Sequence, residues 1–459
     1  MYQINFNHPV HIYFIGIGGI SMSGLAEILL EKGFRVSGSD LRESPLTQLL
    51  TQKGAIIHYG QKAENLTDGI DLVVYTSAIH PDNPEYVAMG KLGIPSLTRA
   101  ELLGQLMKNY ELPVAVSGTH GKTTTTSMIS EILLAADTDP TLSIGGILKT
   151  IGGNIRIGHS GYFVTEACEY TNSFLSFFPK IGIILNVEED HLDFFRDIDD
   201  IRHSFHRFAA LIPDDGTLII NGDIPELAAI TSGLSCRIVT YGSGNHCDYY
   251  PVEITYDEKG CPGFTLCHKG VLAERFCLGV PGEHNIYNAM AAIILAELFS
   301  IDPAVTQNAL LHFSGTNRRF EYKGSLNGTV IIDDYAHHPT EITATLKAAQ
   351  NFPHKDLWCV FQPHTYTRTK AFLKDFAKAL SLADHVILAQ IYPARETDNL
   401  GISSQDLKSE ILTLGTACDF FPTFEEIENF ILKNCHPEDL LITMGAGDVV
   451  NIGENLLKR

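Results

Sequence analysis

The distribution of hydrophobic residues predicts short buried strands that alternate with helices. Apolar runs of three to five residues are followed by glycine or polar residues, and then by apolar positions three or four residues apart. Such runs are typical of parallel strands buried on both faces, and the wider spacing is typical of helices. The runs lie at 11–15, 72–75, 114–116, 181–185, 217–220, 330–332, 358–361, 386–388 and 440–444. The pattern predicts an α/β fold.

Two changes in this pattern divide the chain. The polar stretch 109–113 precedes a new strand–turn–helix unit, and the stretch 317–321 precedes another series of strands. Since a domain averages roughly 150 residues, a chain of this length predicts three domains. We predict a Rossmann-like domain at 1–110, a central ATPase-like domain at 111–316 and a second Rossmann-like domain at 317–459. Alternating residues near 254–266 predict a small antiparallel sheet beside the parallel sheet of the central domain.

Composition and charge narrow the class of protein. Hydrophobic residues make up 44% and charged residues 19%, as in globular proteins. The formal net charge of −21 argues against nucleic acid or an anionic membrane as partner. Nine cysteines without a CxxC pair indicate free thiols in a reducing cytoplasm. Neither a long apolar run nor an export signal is present, so we expect no membrane span.

The stretch 117–126, Ser-Gly-Thr-His-Gly-Lys-Thr-Thr-Thr-Thr, predicts a phosphate-binding loop between a strand and a helix. Backbone N–H groups and the positive end of the helix dipole would face the anion. Lys122 would reach the terminal phosphates and Thr123 would hold Mg²⁺. Val116 occupies the place of the first glycine of the usual consensus. The alternative is a glycine turn before a threonine-rich helix cap.

The first strand runs into a second glycine-rich turn, at 16–24, and the next strand ends at Asp40. This arrangement is typical of a dinucleotide fold, in which glycines admit a pyrophosphate and an acid binds a ribose hydroxyl. The pattern suits NAD, FAD or a nucleotide sugar equally. The glycines could also serve only to pack strand against helix.

Polar clusters follow several other strands. Glu166 and the run 188–193 supply carboxylates suited to Mg²⁺, although a solvated acidic loop would look the same. Asn285 opens an alanine-rich helix and is either a cap or a contact to a nucleotide base. In the third domain four strands lead into His, Arg, Asp or Gly at 333–341, 362–369, 392–396 and 445–448. We expect those four ends to share one crevice.

Taken together, these motifs resemble the Mur ligase family of peptidoglycan precursor synthesis over nearly the whole chain. The glycine-rich turn resembles the family's uridine-nucleotide loop, and 117–126 matches its ATP loop, which also accounts for Val116. The remaining motifs fall in the family's order, at Glu166, 190–193, 284–289, 318–321 and 333–339.

The resemblance implies an ATP-dependent ligase that joins L-alanine to the lactyl carboxylate of UDP-N-acetylmuramate through an acyl phosphate. ATP and Mg²⁺ are the implied cofactors, and the products include ADP and phosphate. The enzyme would be cytoplasmic and either a monomer or a homodimer. The general base would be His191 or His337.

The resemblance also implies roles for individual residues. UDP-sugar contacts are expected at Gly16, Gly18, Gly19, Ser21, Ser39, Asp40, Thr76 and Ser77. ATP contacts are expected at Gly118, Thr119, His120, Gly121, Lys122, Thr123, Thr124, Asn285, Arg319 and Asp334. Metal ligands are expected at Thr123, Glu166 and His191, and amino-acid or carboxylate contacts at His364 and Arg368.

Two features depart from the family pattern. Thr365 stands where a second arginine is expected. Residues 201–210 contain no lysine, so we predict no carbamylated lysine after the Asp-His motif.

Three alternative functions are compatible with parts of this sequence. A sister ligase joins the same UDP-sugar to a preformed tripeptide. A nicotinamide-dependent oxidoreductase would use the first glycine-rich turn and Asp40, but would leave the phosphate loop unexplained. A non-catalytic UDP-sugar sensor is the third.

Overall fold

The computed structural model describes residues 2–76, 79–394 and 396–459, and it contains three β-sheets. None of the helices in these ranges is long and apolar enough to cross a membrane.

The first sheet has five parallel strands in the order β3-β2-β1-β4-β5. Its strands are β1 His11–Ile15, β2 Arg35–Asp40, β3 Ile56–Tyr59, β4 Leu72–Tyr75 and β5 Ser96–Thr98, with helices α1 Ile20–Glu31, α2 Pro45–Gln52, α3 Pro84–Leu92 and α4 Arg99–Met107. Because β1 lies between β2 and β4, the chain leaves it in opposite directions, which opens a crevice at its carboxyl end. The glycine-rich turn lies at this crevice.

The second sheet is mixed and has ten strands, in the order β15-β14-β13-β12-β11-β10-β6-β9-β7-β8. Its strands are β6 Leu112–Ser117, β7 Thr141–Leu148, β8 Gly153–Arg156, β9 Tyr162–Glu166, β10 Ile181–Ile184, β11 Thr217–Asn221, β12 Arg237–Tyr241, β13 Tyr249–Tyr256, β14 Pro262–His268 and β15 Val271–Cys277. Its helices are α5 Lys122–Ala135, α6 Ile198–Ala209, α7 Ala228–Thr231, α8 His284–Leu298 and α9 Pro303–His312. The predicted antiparallel strands do form, but a parallel pairing of Tyr241 with Tyr249 joins them to the parallel part.

The third sheet has six strands in the order β16-β17-β21-β18-β19-β20, and only the edge pair β16–β17 is antiparallel. Its strands are β16 Glu321–Leu326, β17 Thr329–Asp334, β18 Leu357–Phe361, β19 His385–Leu388, β20 Ala417–Phe420 and β21 Leu440–Met444. Its helices are α10 Pro339–Gln350, α11 Tyr366–Ala371, α12 Leu373–Leu380, α13 Ser404–Thr413, α14 Phe424–Asn434 and α15 Val450–Leu456. Thus the fold class is the three-part α/β architecture that the hydrophobic pattern predicts.

The apolar cores show how the three sheets are joined. One cluster runs without a break from Phe14 and Leu103 of the first unit to Phe174 and Phe205 of the second. The third sheet instead has separate clusters on its two faces. The first two units therefore share a core, whereas the third buries its apolar residues by itself.

We expect Gly104→Ala to destabilise the protein, because Gly104 lets α4 lie directly against the second unit. A Cβ at this position would lie 1.9 Å from the carbonyl oxygen of Ser176. Overpacking of this kind costs about 1–3 kcal/mol. The matched control is Gly90→Ala in α3, where a Cβ would meet no heavy atom within 4 Å and alanine favours the helix. The urea concentration at the midpoint of unfolding should fall for Gly104→Ala and not for Gly90→Ala. Equal midpoints for the two variants would contradict this packing.

Candidate active site

The phosphate loop directly follows β6, which pairs in parallel with β10 on one side and with β9 on the other. The loop therefore lies at the carboxyl edge of the central sheet. Gly118 and Gly121 have positive φ values of 141° and 83°. A Cβ on Gly118 would lie 2.9 Å from the Cβ of Leu185, and one on Gly121 would lie 2.5 Å from Oδ1 of Asn288. Both glycines are therefore required by close packing as well as by backbone conformation.

The ammonium group of Lys122 is held inside this loop. Its Nζ lies 3.0 Å from Oε2 of the buried Glu169 and donates to the carbonyl oxygens of Gly118 and Thr119. Burial by itself lowers the pKa of Lys122, but the Glu169 carboxylate outweighs it and raises the pKa above its usual value. The loop thus presents a fixed positive charge.

Thr123 and Glu166 lie together beside this lysine. The Thr123 hydroxyl donates to Oε2 of Glu166 at 3.1 Å, and Gly145 N–H donates to the other carboxylate oxygen. Burial raises the pKa of Glu166, so a neighbouring cation would stabilise its ionised form. Two hard oxygen ligands beside a phosphate loop fit Mg²⁺.

His191, the third predicted metal ligand, lies beside Glu169, the residue that pairs with Lys122. Its Nε2 is 3.8 Å from Oε1 of Glu169 and 3.8 Å from Oδ2 of Asp190, and its ring lies against Tyr170. The structure therefore brings Thr123 and Glu166 into contact, and it connects His191 to them through Lys122 and Glu169.

A cavity of about 260 Å³ lies between the phosphate loop and the third unit. The predicted ATP-site residues around this cavity are His120, Gly121, Thr124, Asn285, Arg319 and Asp334. Asp334 accepts hydrogen bonds from Phe320 N–H and Ala336 N–H, and burial raises its pKa to about 6. The start of α8 and the first strands of the third unit thus complete the lining of the cavity beside the phosphate loop.

Beside this cavity a row of polar contacts, here called the polar seam, joins the second and third units. His120 Nδ1 lies 3.1 Å from Oε1 of Glu341, and the Thr340 hydroxyl donates to Glu188 at 2.6 Å. The seam also includes the contact of His338 with the Glu189 carbonyl and the Arg368–Asp190 ion pair. Burial lowers the pKa of His120, but Glu341 and Glu188 more than compensate and raise it to about 9.

A second cavity of about 300 Å³ continues along the seam. His191 and Asp190 line it from the central unit, and His364, Thr365 and Arg368 line it from the third. Arg368 donates to Oδ1 of Asp190 at 2.8 Å, and although burial raises the Asp190 pKa, this cation keeps it well below its usual range. His364 Nδ1 lies 3.2 Å from the Arg368 guanidinium.

Thr365 has a structural role where a second arginine is expected. It has a positive φ of 66° and its hydroxyl accepts from the N–H of Arg368, so it caps the start of α11. The single remaining cation of this motif, Arg368, is the one that pairs with Asp190.

His337 lies between the two cavities and is held neutral. Its backbone N–H donates to Oε2 of Glu341, its Nδ1 contacts the Tyr335 carbonyl, and its ring is 5.8 Å from that of His364. Burial lowers the pKa of His337 to about 4, and burial also lowers that of His364 to about 4. Both imidazoles are therefore unprotonated at neutral pH.

In the first unit, the side chain of Asp40 is hydrogen-bonded to the glycine-rich turn. Oδ2 of Asp40 accepts from Gly18 N–H at 2.8 Å, and the Ser21 hydroxyl contacts the guanidinium of Arg99 at 3.0 Å. Gly16 has a positive φ of 80°, Gly19 precedes α1, and Thr76 follows β4. Ser77, also predicted to contact the UDP-sugar, lies outside the described residues.

Comparison with known families covers all three units. Residues 11–111 match the Mur ligase family catalytic domain, 116–296 the Mur ligase middle domain, and 318–447 the Mur ligase glutamate ligase domain. The chain belongs to the Mur ligase family.

The similarity of this Mur ligase to individual relatives extends over the whole chain or nearly so. It is 60% identical to the UDP-N-acetylmuramate–L-alanine ligase of Agathobacter rectalis, with both chains covered completely. The corresponding ligase of Caldanaerobacter subterraneus is 50% identical, with 99% of each chain covered. Among solved structures, the UDP-N-acetylmuramate–alanine ligase of Thermotoga maritima superposes with a TM-score of 0.81 at 30% identity, over 98% and 99% of the two chains. A murein peptide ligase from Psychrobacter arcticus gives a TM-score of 0.71 at 26% identity, over 98% of each chain.

Sequence reasoning missed Glu85, which supports the glycine-rich turn of this Mur ligase. Its carboxylate is fully buried and accepts hydrogen bonds from Tyr13, Ser39 and Asn65. The Ser39 carbonyl in turn accepts from the N–H groups of Gly16 and Ile17. Glu85 follows an Asn-Pro helix start, where an acid is ordinary, so the pattern gave no sign of these distant contacts.

We expect Glu85→Gln to weaken binding of UDP about tenfold or more. The substitution removes a charged acceptor that serves several buried donors, each such bond being worth about 1.5–3 kcal/mol, and the turn would lose its fixed position. Calorimetric titration with UDP measures the effect. Glu64→Gln, an exposed acid of the same unit, is the control, and equal affinity in the two variants would contradict the role of Glu85.

We also expect His337 to make the folded protein less stable in acid. Its pKa is depressed in the folded state, so its contribution is complete above about 6.5 and is lost as the pH falls toward about 4. The loss should reach about 1–2 kcal/mol by pH 5. Urea denaturation at pH 8 and pH 5 should show a smaller difference for His337→Asn than for wild type. The exposed His159→Asn should keep the full difference; if His337→Asn keeps it too, the assignment is wrong.

Proposed function

We propose that this Mur ligase joins L-alanine to the lactyl carboxylate of UDP-N-acetylmuramate, with conversion of ATP to ADP and phosphate through an acyl phosphate. The observation that carries the proposal is the unbroken contact from Lys122 through Glu169 to His191. It connects the phosphate loop of the nucleotide cavity to the second cavity, so that a phosphoryl donor and an amine are brought to one point. The names of the 60% and 50% identical relatives support the same substrates.

In the first step a lactyl carboxylate oxygen attacks the γ-phosphorus of ATP, and the bond to the bridging oxygen of ADP breaks. Two anions must approach each other, and the fixed ammonium of Lys122 lowers that repulsion. Asn285, Arg319 and Asp334 hold the nucleotide, with Asn285 at the adenine.

Thr123 and Glu166, with His191 on the other side of Glu169, are the residues that would hold Mg²⁺. When bound, the ion supplies charge neutralisation and orientation of the phosphate oxygens. The half-buried Glu166 carboxyl and the Thr123 hydroxyl would give it hard oxygen ligands.

In the second step the amine of L-alanine attacks the acyl carbon, and phosphate leaves with the electrons of its C–O bond. The amine must lose a proton, and His337 or His191 accepts it. His364 and Arg368 lie in the second cavity, where the carboxylate of the amino acid would be bound. The polar seam runs beside both cavities and would limit access of water to the acyl phosphate.

The first unit would bind the UDP-sugar at the turn 16–24 and at Ser39, Asp40, Thr76 and Ser77. We propose domain boundaries at 110/111 and 316/317, a cytoplasmic location, and a monomer or homodimer as the working form.

The test is phosphate release by the purified full-length protein with ATP, Mg²⁺ and UDP-N-acetylmuramate. We expect release to require L-alanine, and Lys122→Ala to lower it about 10²–10³-fold, as for loss of one transition-state donor. The exposed Lys91→Ala should retain wild-type activity.

Dependence on the tripeptide instead of L-alanine would favour the sister ligase. Binding of NADH instead of UDP would favour the oxidoreductase. If Lys122→Ala leaves turnover unchanged, the phosphate loop is not the site of catalysis.

A further inference from the structure

We propose that His120, Glu188 and His338 of the polar seam form a binding site for a transition-metal cation of the Zn²⁺ class. One possible ligand atom from each residue lies within 4.8 Å of the other two. The three residues come from the phosphate loop, the segment after β10 and the start of α10, so the site spans two units. It is separate from the Thr123–Glu166 pair.

The ligand types select the metal. Two imidazoles and one carboxylate are a set that Zn²⁺ and its first-row neighbours prefer, whereas Mg²⁺ prefers oxygen ligands alone. A three-residue set also leaves one coordination position open. Because His120 and Glu188 line the nucleotide cavity, that position would face the cavity.

An unsatisfied atom points into this site. His120 Nε2 is buried and makes no hydrogen bond, and its nearest acceptor, Oε2 of Glu188, is 3.6 Å away. That separation is too long for a hydrogen bond. The separation does match that of two ligands of one metal ion, since two metal–ligand bonds of about 2.1 Å at a tetrahedral angle place the ligand atoms about 3.4 Å apart.

The surrounding groups orient the ligands as metal sites require. The other nitrogen of His120, Nδ1, faces Oε1 of Glu341 at 3.1 Å, and a carboxylate behind a ligating histidine raises its basicity. His338 Nε2 lies 3.1 Å from the Glu189 carbonyl, which can only accept, so this nitrogen carries the proton. Nδ1 of His338 then keeps its lone pair, which accepts from the N–H of Thr340 at 3.4 Å as the cap of α10, a long bond that a metal would replace.

A second cluster, Asp223, His246 and Cys247, has similar residue types, but its histidine nitrogen is already hydrogen-bonded to its carboxylate, whereas His120 Nε2 is not. Asp223 accepts from Ser243 N–H and from His246 Nε2, both at 2.7 Å. Burial raises the pKa of the Cys247 thiol to about 11, so the thiolate that a metal needs is scarce at neutral pH. This cluster therefore serves as the matched control.

A cation in the seam would tie the phosphate loop to the third unit, so it should inhibit turnover. This consequence rests on the proposed function, whereas binding of the metal does not. Metal must also displace any proton held between His120 and its carboxylate neighbours, so affinity should rise with pH.

The experiment is titration of the metal-free full-length protein with Co²⁺, followed by visible absorption, and then competition with Zn²⁺. We expect one Co²⁺ per chain with the intense absorption of a four-coordinate ion. His120→Gln and His338→Gln should each weaken binding at least tenfold, and Glu188→Gln should also weaken it. His246→Gln and Cys247→Ser should bind as wild type does.

Circular dichroism and the thermal midpoint identify any variant that fails to fold, and the remaining variants then decide. Absence of stoichiometric binding by the wild type would overturn the proposal, because His120 and Glu188 would then be held together by charge alone. Loss of binding in His246→Gln or Cys247→Ser, with His120→Gln unaffected, would overturn it in favour of the second cluster. In the ligase assay with excess Mg²⁺, Zn²⁺ should inhibit wild type and spare His338→Gln. Failure of ligation itself would leave the Co²⁺ result standing, so the two proposals are tested separately.

Discussion

The buried ammonium of Lys122 is the constraint on which the active-site region depends. An unpaired charge in this position would cost several kcal/mol, so the fold must supply an anion and carbonyl acceptors around it. Glu169 and the carbonyls of Gly118 and Thr119 do so. To place these groups, β9 and β10 must flank β6, and the loop must approach Leu185 so closely that only glycine fits. The same Glu169 reaches His191, so compensation of one charge also connects the two cavities.

The two junctions of the chain differ in physical character. The first and second units share a continuous apolar core, and separating them would expose that surface to water. The second and third units meet at the cavities through the polar seam, whose hydrogen bonds and ion pairs can be exchanged for bonds to water when the units separate. This contrast makes the third unit the part suited to open and close around substrates, with the first unit fixed as a platform.

Local sequence was a reliable guide where the physics is local. The buried strands β1 and β4 have the predicted bounds because their apolar runs are continuous and end at glycine or polar residues. The short edge strands β3, β5 and β20 were not predicted, since a strand exposed on one side has a weaker apolar pattern. The antiparallel strands were predicted, but their union with the parallel sheet was not, because it depends on the single pairing of Tyr241 with Tyr249.

By itself the sequence determined the α/β class, the phosphate loop, the glycine-rich turn and the resemblance to the ligase family, because each depends on residues close together in the chain. The tertiary structure alone decided which distant groups meet. It paired Lys122 with Glu169, His120 with Glu341, and Glu85 with Tyr13. Such pairs set protonation states and fix loop positions through burial and charge, and neither quantity can be read from residue spacing.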